Sequence, residues 1–268
     1  MSRIDDVFAE LKAKGDKGFI PFVTAGDPDL DTTVSIVVEM AKRGCDIVEL
    51  GIPFSDPLAD GPTNQASYQR SLEAGTSLED VFGCVTKIRE RTDVPIIFFT
   101  YYNPVHQYGL ETFVKRCQEV GVDGALITDL PPEEAGNYGT MMKSAGLDTV
   151  FLLAPTSRDE RIKLVTESAS GFVYYVSRAG VTGEQQSLAD SLASMVGRIK
   201  GFTDKPVAVG FGISTPDHAA EVAEHADAVV VGSAIVRRIA EKGGDPDLAV
   251  QIGDFVSDLM RPLKTSAN

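Results

Sequence analysis

Three carboxylates stand close together in the stretch VELGIPFSDPLADGP (48–62), one in an apolar run and two in a loop of prolines and glycines. Glu49, set among Ile47, Val48 and Leu50, has no basic residue close by in the chain. Its carboxyl is expected to be partly desolvated, which raises its pKa and makes it a usable general acid near neutrality. Asp60 lies in the loop and is expected to be more hydrated and ionised, able to accept a hydrogen bond from a substrate N–H or O–H. Two carboxyls in different environments that face one pocket can divide acid and base roles. Asp56, in a Ser-Asp-Pro step, suits a turn or an interface instead.

A second group of residues suits an anion. GFGIS (210–214) and VGSAIV (231–236) both place glycine at the end of an apolar run. Glycine lets the backbone come close to an anion, and N–H groups at a helix start can hold a phosphate without any lysine. Gly212, Gly232 and Ser233 are the candidates. SRAGVTGEQQS (177–187), small, polar and without an apolar face, suits a mobile lid that excludes water. Phe22, Tyr101, Tyr174 and Phe211 stand where aromatic walls would be needed.

What is missing narrows the chemistry. No lysine stands at an expected strand end, which disfavours a Schiff-base aldolase. His106, His218 and His225 are scattered, with no HExxH spacing, so no metal site is expected. No Ser or Cys sits in a GxSxG turn. A carbon–carbon bond broken in such a site must send its electrons into the substrate's own ring system. Protonating an electron-rich aromatic carbon provides that sink.

The elements that must position these residues are written as a repeated phrase. Gly44-Cys45-Asp46, Gly121-Val122-Asp123, Gly146-Leu147-Asp148 and Ala226-Asp227 each lead into a continuous apolar, β-branched run. Pro95 and Pro206 introduce two more runs, and 18–26 and 170–177 complete a set of eight. Runs without polar alternation belong to parallel strands covered on both faces. Between them lie helical patterns. Ile4, Val7, Phe8 and Leu11 share a face, Ser77–Asp80 resembles a capping box, and Leu248, Ile252, Phe255, Val256 and Leu259 form a last stripe stopped by Pro262. Eight strands alternating with helices over roughly 250 residues predict an α/β (β/α)8 TIM barrel with an extra N-terminal helix. A doubly wound open sheet is the alternative, but VTAGDPD lacks the GxGxxG that its first turn normally carries. No linker or low-complexity tract divides the chain, so residues 1–268 are read as a single domain. In such a barrel the active site lies at the C-terminal strand ends, where the residues above fall.

Bulk properties exclude several roles. A formal charge of −14 argues against nucleic acid or an anionic membrane as the main partner. The acidic N-terminal segment has no apolar core, so a signal peptide is not expected, and no apolar stretch approaches about 18 residues, so neither is a membrane span. Cys45, Cys84 and Cys117, odd in number and widely spaced, are expected to be free thiols in a reducing cytoplasm.

The motif at 48–62, together with PFVTAGDPD, YYNPV, YYVSRAGVTG, VGFGIS and VGSAIV, closely resembles the signatures of the tryptophan synthase α subunit family, in order and spacing from about residue 19 to 240. The resemblance implies cleavage of indole-3-glycerol phosphate to indole and glyceraldehyde 3-phosphate. It implies Glu49 as the general acid–base that protonates indole C3, and Asp60 as the carboxylate that accepts the indole N–H. Thr182 and Gly183 would belong to the lid. Gly183, Gly212, Gly232 and Ser233 would surround the phosphate, and Phe22, Tyr101, Tyr174 and Phe211 would line the pocket. It implies no cofactor in this subunit and a pyridoxal-phosphate-dependent β partner in an α2β2 complex, contacted through the loop of Asp56 and Asp60. Indole-3-glycerol phosphate synthase would want a strand-end lysine, and a sugar-phosphate epimerase a metal with paired aspartates. A catalytically silent barrel that only activates a β partner would have lost Glu49 or Asp60, and both are present.

Overall fold

The computed structural model describes residues 2–177, 185–210 and 212–265. Each apolar run forms a strand: β1 (Gly18–Thr24), β2 (Val48–Gly51), β3 (Ile96–Thr100), β4 (Gly124–Ile127), β5 (Asp148–Val150), β6 (Leu152–Leu153), β7 (Val173–Val176), β8 (Val207–Gly210) and β9 (Ala228–Val231). The fifth run differs from expectation, being interrupted at Phe151 into β5 and β6. All pairings are parallel, in the order β5-β4-β3-β2-β1-β9-β8-β7-β6. The two ends of that order are consecutive pieces of one stave. The sheet therefore closes into an eight-staved barrel through the chain itself, with helices between the strands, as in a (β/α)8 fold.

The repeated Gly-x-Asp phrase has two physical jobs. Gly44, Gly121 and Gly146 take φ of 91°, 82° and 72°, the left-handed conformation that ends a helix and turns the chain toward a strand. The aspartates then satisfy strand starts in the neighbouring stave. Asp46 accepts the Phe19 N–H at 2.7 Å, Asp123 that of Ile96 at 2.7 Å, and Asp227 that of Val207 at 2.9 Å. The charges are met by Lys264 at Asp46, Arg3 and Arg89 at Asp123, and Lys200 at Asp227.

Side chains alternate between the two faces of a strand. Ile20, Ile47, Ile97, Leu126, Val150, Phe172, Tyr174, Ala208, Ala228 and Val230 fill the barrel interior. Val48 and Leu50 face the other way, into the layer under the helices. The opening helix, Arg3–Lys14, is held by a Ser2–Asp5 capping box and adds Ile4, Phe8 and Leu11 to the interior cluster. The Phe8 and Phe172 rings lie 5.8 Å apart. This helix plugs the N-terminal end of the barrel. Truncating the plug by Phe8→Ala is expected to cost about 3–5 kcal/mol, as removal of a buried aromatic ring does. Urea unfolding reads it, and a cost under about 1 kcal/mol would mean that the helix is not part of the core.

Candidate active site

Strand parity decides the position of Glu49. Two residues beyond Ile47, it must point into the barrel, and it does so with only 1 % of its surface exposed. It pairs in register with Phe22 on β1 and Ile97 on β3. Among the described residues Oε1 is buried with no hydrogen-bond partner, and the carboxyl makes no ion pair. Burial, and then the nearby charge of Asp60, push its pKa up to about 8. The expected desolvated acid is present and is more completely dry than the flanking residues alone imply.

Asp60 departs from expectation. It is half-buried rather than hydrated, and burial pushes its pKa upward. Two donors work against that push. The Tyr101 O–H donates to Oδ2 at 2.5 Å and the Asn64 amide to Oδ1 at 3.2 Å, both favouring the ionised form. Tyr101 in turn accepts the Ala59 N–H at 3.1 Å, so one phenol clamps the loop and its carboxylate together. The helix Pro62–Glu73 that follows is tied to the end of β1. Thr24 and Ser67 share a hydroxyl contact at 2.6 Å, Ser71 donates to the Ala25 carbonyl at 2.6 Å, and Arg70 holds the buried Asp27 bidentately. These bonds fix the loop of Asp60 over the strand that neighbours Glu49.

Aromatic rings gather next to the two carboxyls, with Phe22 in register with Glu49 and Tyr101 bonded to Asp60. Phe22, Tyr68 and Tyr101 cluster there, with Phe54 and Phe99 packed alongside. The Phe22 ring meets those of Phe99 and Tyr68 at 5.2 and 6.5 Å, both edge-on. Gly51 makes room for it, since a Cβ there would sit 2.7 Å from the ring. Tyr68, fully buried against Phe22 with its hydroxyl unpartnered among the described residues, is a member of this cluster that sequence reasoning missed, because a helix residue gives no sign that its helix folds over the barrel mouth. Asn64 was missed as well, although its four-residue spacing from Asp60 at a helix start is a usable signal.

A cavity of about 660 Å³ opens at this end. Asp60, Asn64 and Tyr174 line one part, and Gly210, Gly212, Gly232, Ser233 and Arg237 line another. Tyr174, Gly212, Gly232 and Ser233, expected around one pocket with Asp60, line this space with it, whereas Phe22 and Tyr101, expected as walls, are not among its lining residues. Gly212 has φ of 65°, and the helix Ser233–Lys242 starts directly after Gly232, turning its free N–H groups toward the cavity end. Glu49 is not among the described residues on the cavity wall, although its charge is felt by Tyr174 and Tyr68. Thr182, Gly183 and Phe211, expected to serve as lid, phosphate contact and wall, lie outside the described residues. Among the described residues no group of three or more His, Cys, Asp or Glu is placed to hold a metal ion.

The arrangement can deliver a proton from a dry carboxylic acid while a second carboxyl, held by two donors, accepts a hydrogen bond. Its pH signature is calculable in sign. Glu49 titrates at about 8 when folded against an ordinary 4.5, so the fold loses stability as pH rises between those values. Glu49→Gln, nearly isosteric and never charged, is expected to match the parent protein in acid, to become progressively the more stable of the two as pH rises from about 4.5 toward about 8, and to keep a constant advantage above that. Urea unfolding at acid, neutral and alkaline pH measures this. A stability difference independent of pH would show that Glu49 is not held neutral by burial.

Comparison with known proteins joins this geometry to a family. The family described as tryptophan synthase alpha chain matches residues 8–260. The tryptophan synthase alpha chain of Geobacter sp. strain M21 is 51 % identical over 259 residues, covering 97 % of each chain. That of Thermoanaerobacter sp. strain X514 is 44 % identical over 263 residues, covering 98 % of this chain and all of the relative. The crystal structure of tryptophan synthase subunit alpha from Legionella pneumophila superposes with a TM-score of 0.90 at 37 % identity, covering 98 % of both chains. A structure of tryptophan synthase from Mycobacterium tuberculosis superposes at 0.89 and 31 % identity over 99 % of both. With its motif carboxyls at the mouth of a closed barrel and half of its residues shared along nearly the whole length, this chain belongs to the tryptophan synthase alpha chain family.

Proposed function

We propose that Glu49 and Asp60 divide the proton work of this family's lyase reaction, the cleavage of indole-3-glycerol phosphate to indole and glyceraldehyde 3-phosphate. The observation that carries this reading is the buried, unpaired Glu49 carboxyl, protonated over much of the neutral range and directed into the barrel beside Asp60. Glu49 gives its proton to indole C3, and the ring nitrogen takes up the positive charge. The Asp60 carboxylate accepts the ring N–H and stabilises that charge. The glycerol hydroxyl on the carbon bonded to C3 then loses its proton to the ionised Glu49. Its O–H electrons form the aldehyde C=O, the electrons of the breaking carbon–carbon bond restore the indole ring, and Glu49 is protonated again. The phosphate is held at Gly212, Gly232 and Ser233, with Phe22, Tyr101 and Tyr174 around the indole.

The chain acts as one domain and needs no cofactor of its own; the serine-condensing step belongs to a pyridoxal-phosphate-dependent β partner in an α2β2 assembly. Support for a docking loop comes from Leu58, 89 % exposed two residues before Asp60. The three cysteines are free and buried, which fits a reducing cytoplasm. No helix among the described residues is long and apolar enough to cross a membrane.

The direct test is indole release from indole-3-glycerol phosphate by the purified chain, with and without a β subunit. Glu49→Gln is expected to lose about 10³-fold or more in kcat while remaining folded, the scale of removing a general acid–base. Asp60→Asn is expected to lose about 10²-fold or more. For the parent protein, kcat/KM should fall as pH rises through about 8, because the acid must hold its proton. Undiminished turnover by Glu49→Gln would remove it from the mechanism. Leu58→Asp is expected to weaken stimulation by the β subunit while sparing the isolated chain's rate; full stimulation would place the docking surface elsewhere.

A further inference from the structure

We propose that Arg237 is the side-chain cation that receives the substrate's phosphate and sets the affinity for it. The proposal rests on the reading that the phosphate lies at Gly212, Gly232 and Ser233, and adds to it a residue that no backbone argument supplies.

Among the described residues lining the 660 Å³ cavity, Arg237 is the only lysine or arginine, and Asp60 is the carboxylate at the other part. A phosphate monoester brings a charge of about −1.5 to −2 at neutral pH. A helix N-terminus offers roughly half a unit of positive charge against it. The chain as a whole carries a formal −14, so its long-range field repels the substrate rather than drawing it in. A local cation is therefore needed at the phosphate end.

Helix geometry places Arg237 to supply that cation. The helix Ser233–Lys242 starts after Gly232, and Arg237 lies four residues beyond Ser233, on the same face. Side chains on a helix lean toward its N-terminus, so the long Arg237 side chain covers the turn that carries Ser233. Its neighbour Arg238 is committed elsewhere, with its guanidinium 3.7 Å over the Phe255 ring. Arg237 itself has no hydrogen bond or ion pair among the described residues, so its five donors are free. A planar fork of this kind suits two phosphate oxygens at once.

The test compares Arg237→Gln, Arg237→Lys and Ser233→Asp by steady-state indole release, with inorganic phosphate as a competing ligand. Arg237 is exposed, and an acid at Ser233 sits in a helix's first turn where it is tolerated, so all three should unfold in urea near the parent midpoint. Arg237→Gln is expected to raise the KM for indole-3-glycerol phosphate about tenfold or more, the scale of one charge-assisted hydrogen bond. The loss should fall on KM rather than kcat, with inhibition by phosphate weakened in parallel and much of the affinity returned by Arg237→Lys. Ser233→Asp, which sets a carboxylate against the phosphate, is expected to raise KM further. If Ser233→Asp raises KM and Arg237→Gln does not, the phosphate site stands and the role of Arg237 is overturned. If neither changes KM, the phosphate lies elsewhere and both readings fall. A loss in kcat alone for Arg237→Gln would also overturn the proposal.

Discussion

Everything about this site depends on keeping one carboxyl dry without giving it a partner. An ionised, unpaired carboxylate in an apolar interior is so unfavourable that the group keeps its proton instead. Glu49 satisfies that condition through its position alone. Strand parity turns it inward, the apolar interior cluster lies beneath it, and aromatic rings close over it. A lysine at a neighbouring strand end would form an ion pair and return the pKa to the ordinary range, ending its use as an acid. Among the described residues the barrel supplies none there.

Asp60 meets the opposite requirement with different means. It must carry charge in a half-buried loop, and water alone does not do this; a phenol and an amide do. The two carboxyls thus differ in exposure and in partners: Glu49 is dry with Oε1 unpartnered, whereas Asp60 is half-buried and held by two donors. Tyr101 serves both as the donor that keeps Asp60 in place and as the acceptor that ties down the Ala59 N–H of the same loop. The tethers between the helix Pro62–Glu73 and the end of β1 hold this geometry while the loop stays open to solvent on its outer side.

Much of this was legible in the residues. The eight apolar runs mark the staves, and the Gly-x-Asp phrase marks helix ends, because left-handed backbone and a short turn demand particular residues. The reason for the aspartate was not legible, since it serves the N–H of a different stave far away in the chain. The break at Phe151 was likewise hidden, because an apolar run carries no sign of where a ladder lapses. Glu49 could be read as dry from its neighbours, whereas the environment of Asp60 could not. Its donors come from β3's end and from a following helix, and only the closed barrel brings them to it. Tyr68 and Arg237 escaped for the same reason, since a helix face becomes a pocket wall only after the helix has docked.

The stopper formed by the first helix has a consequence for traffic. A vessel sealed at its base by Ile4, Phe8 and Leu11 leaves, among the described residues, the opposite end as the doorway for reactant and products alike. On the proposed reading indole, small and apolar, would leave by that rim, beside the loop on which Leu58 is exposed. Any protein that collects it without loss to bulk water has to seat on that rim, and by doing so it also governs when the next substrate is admitted.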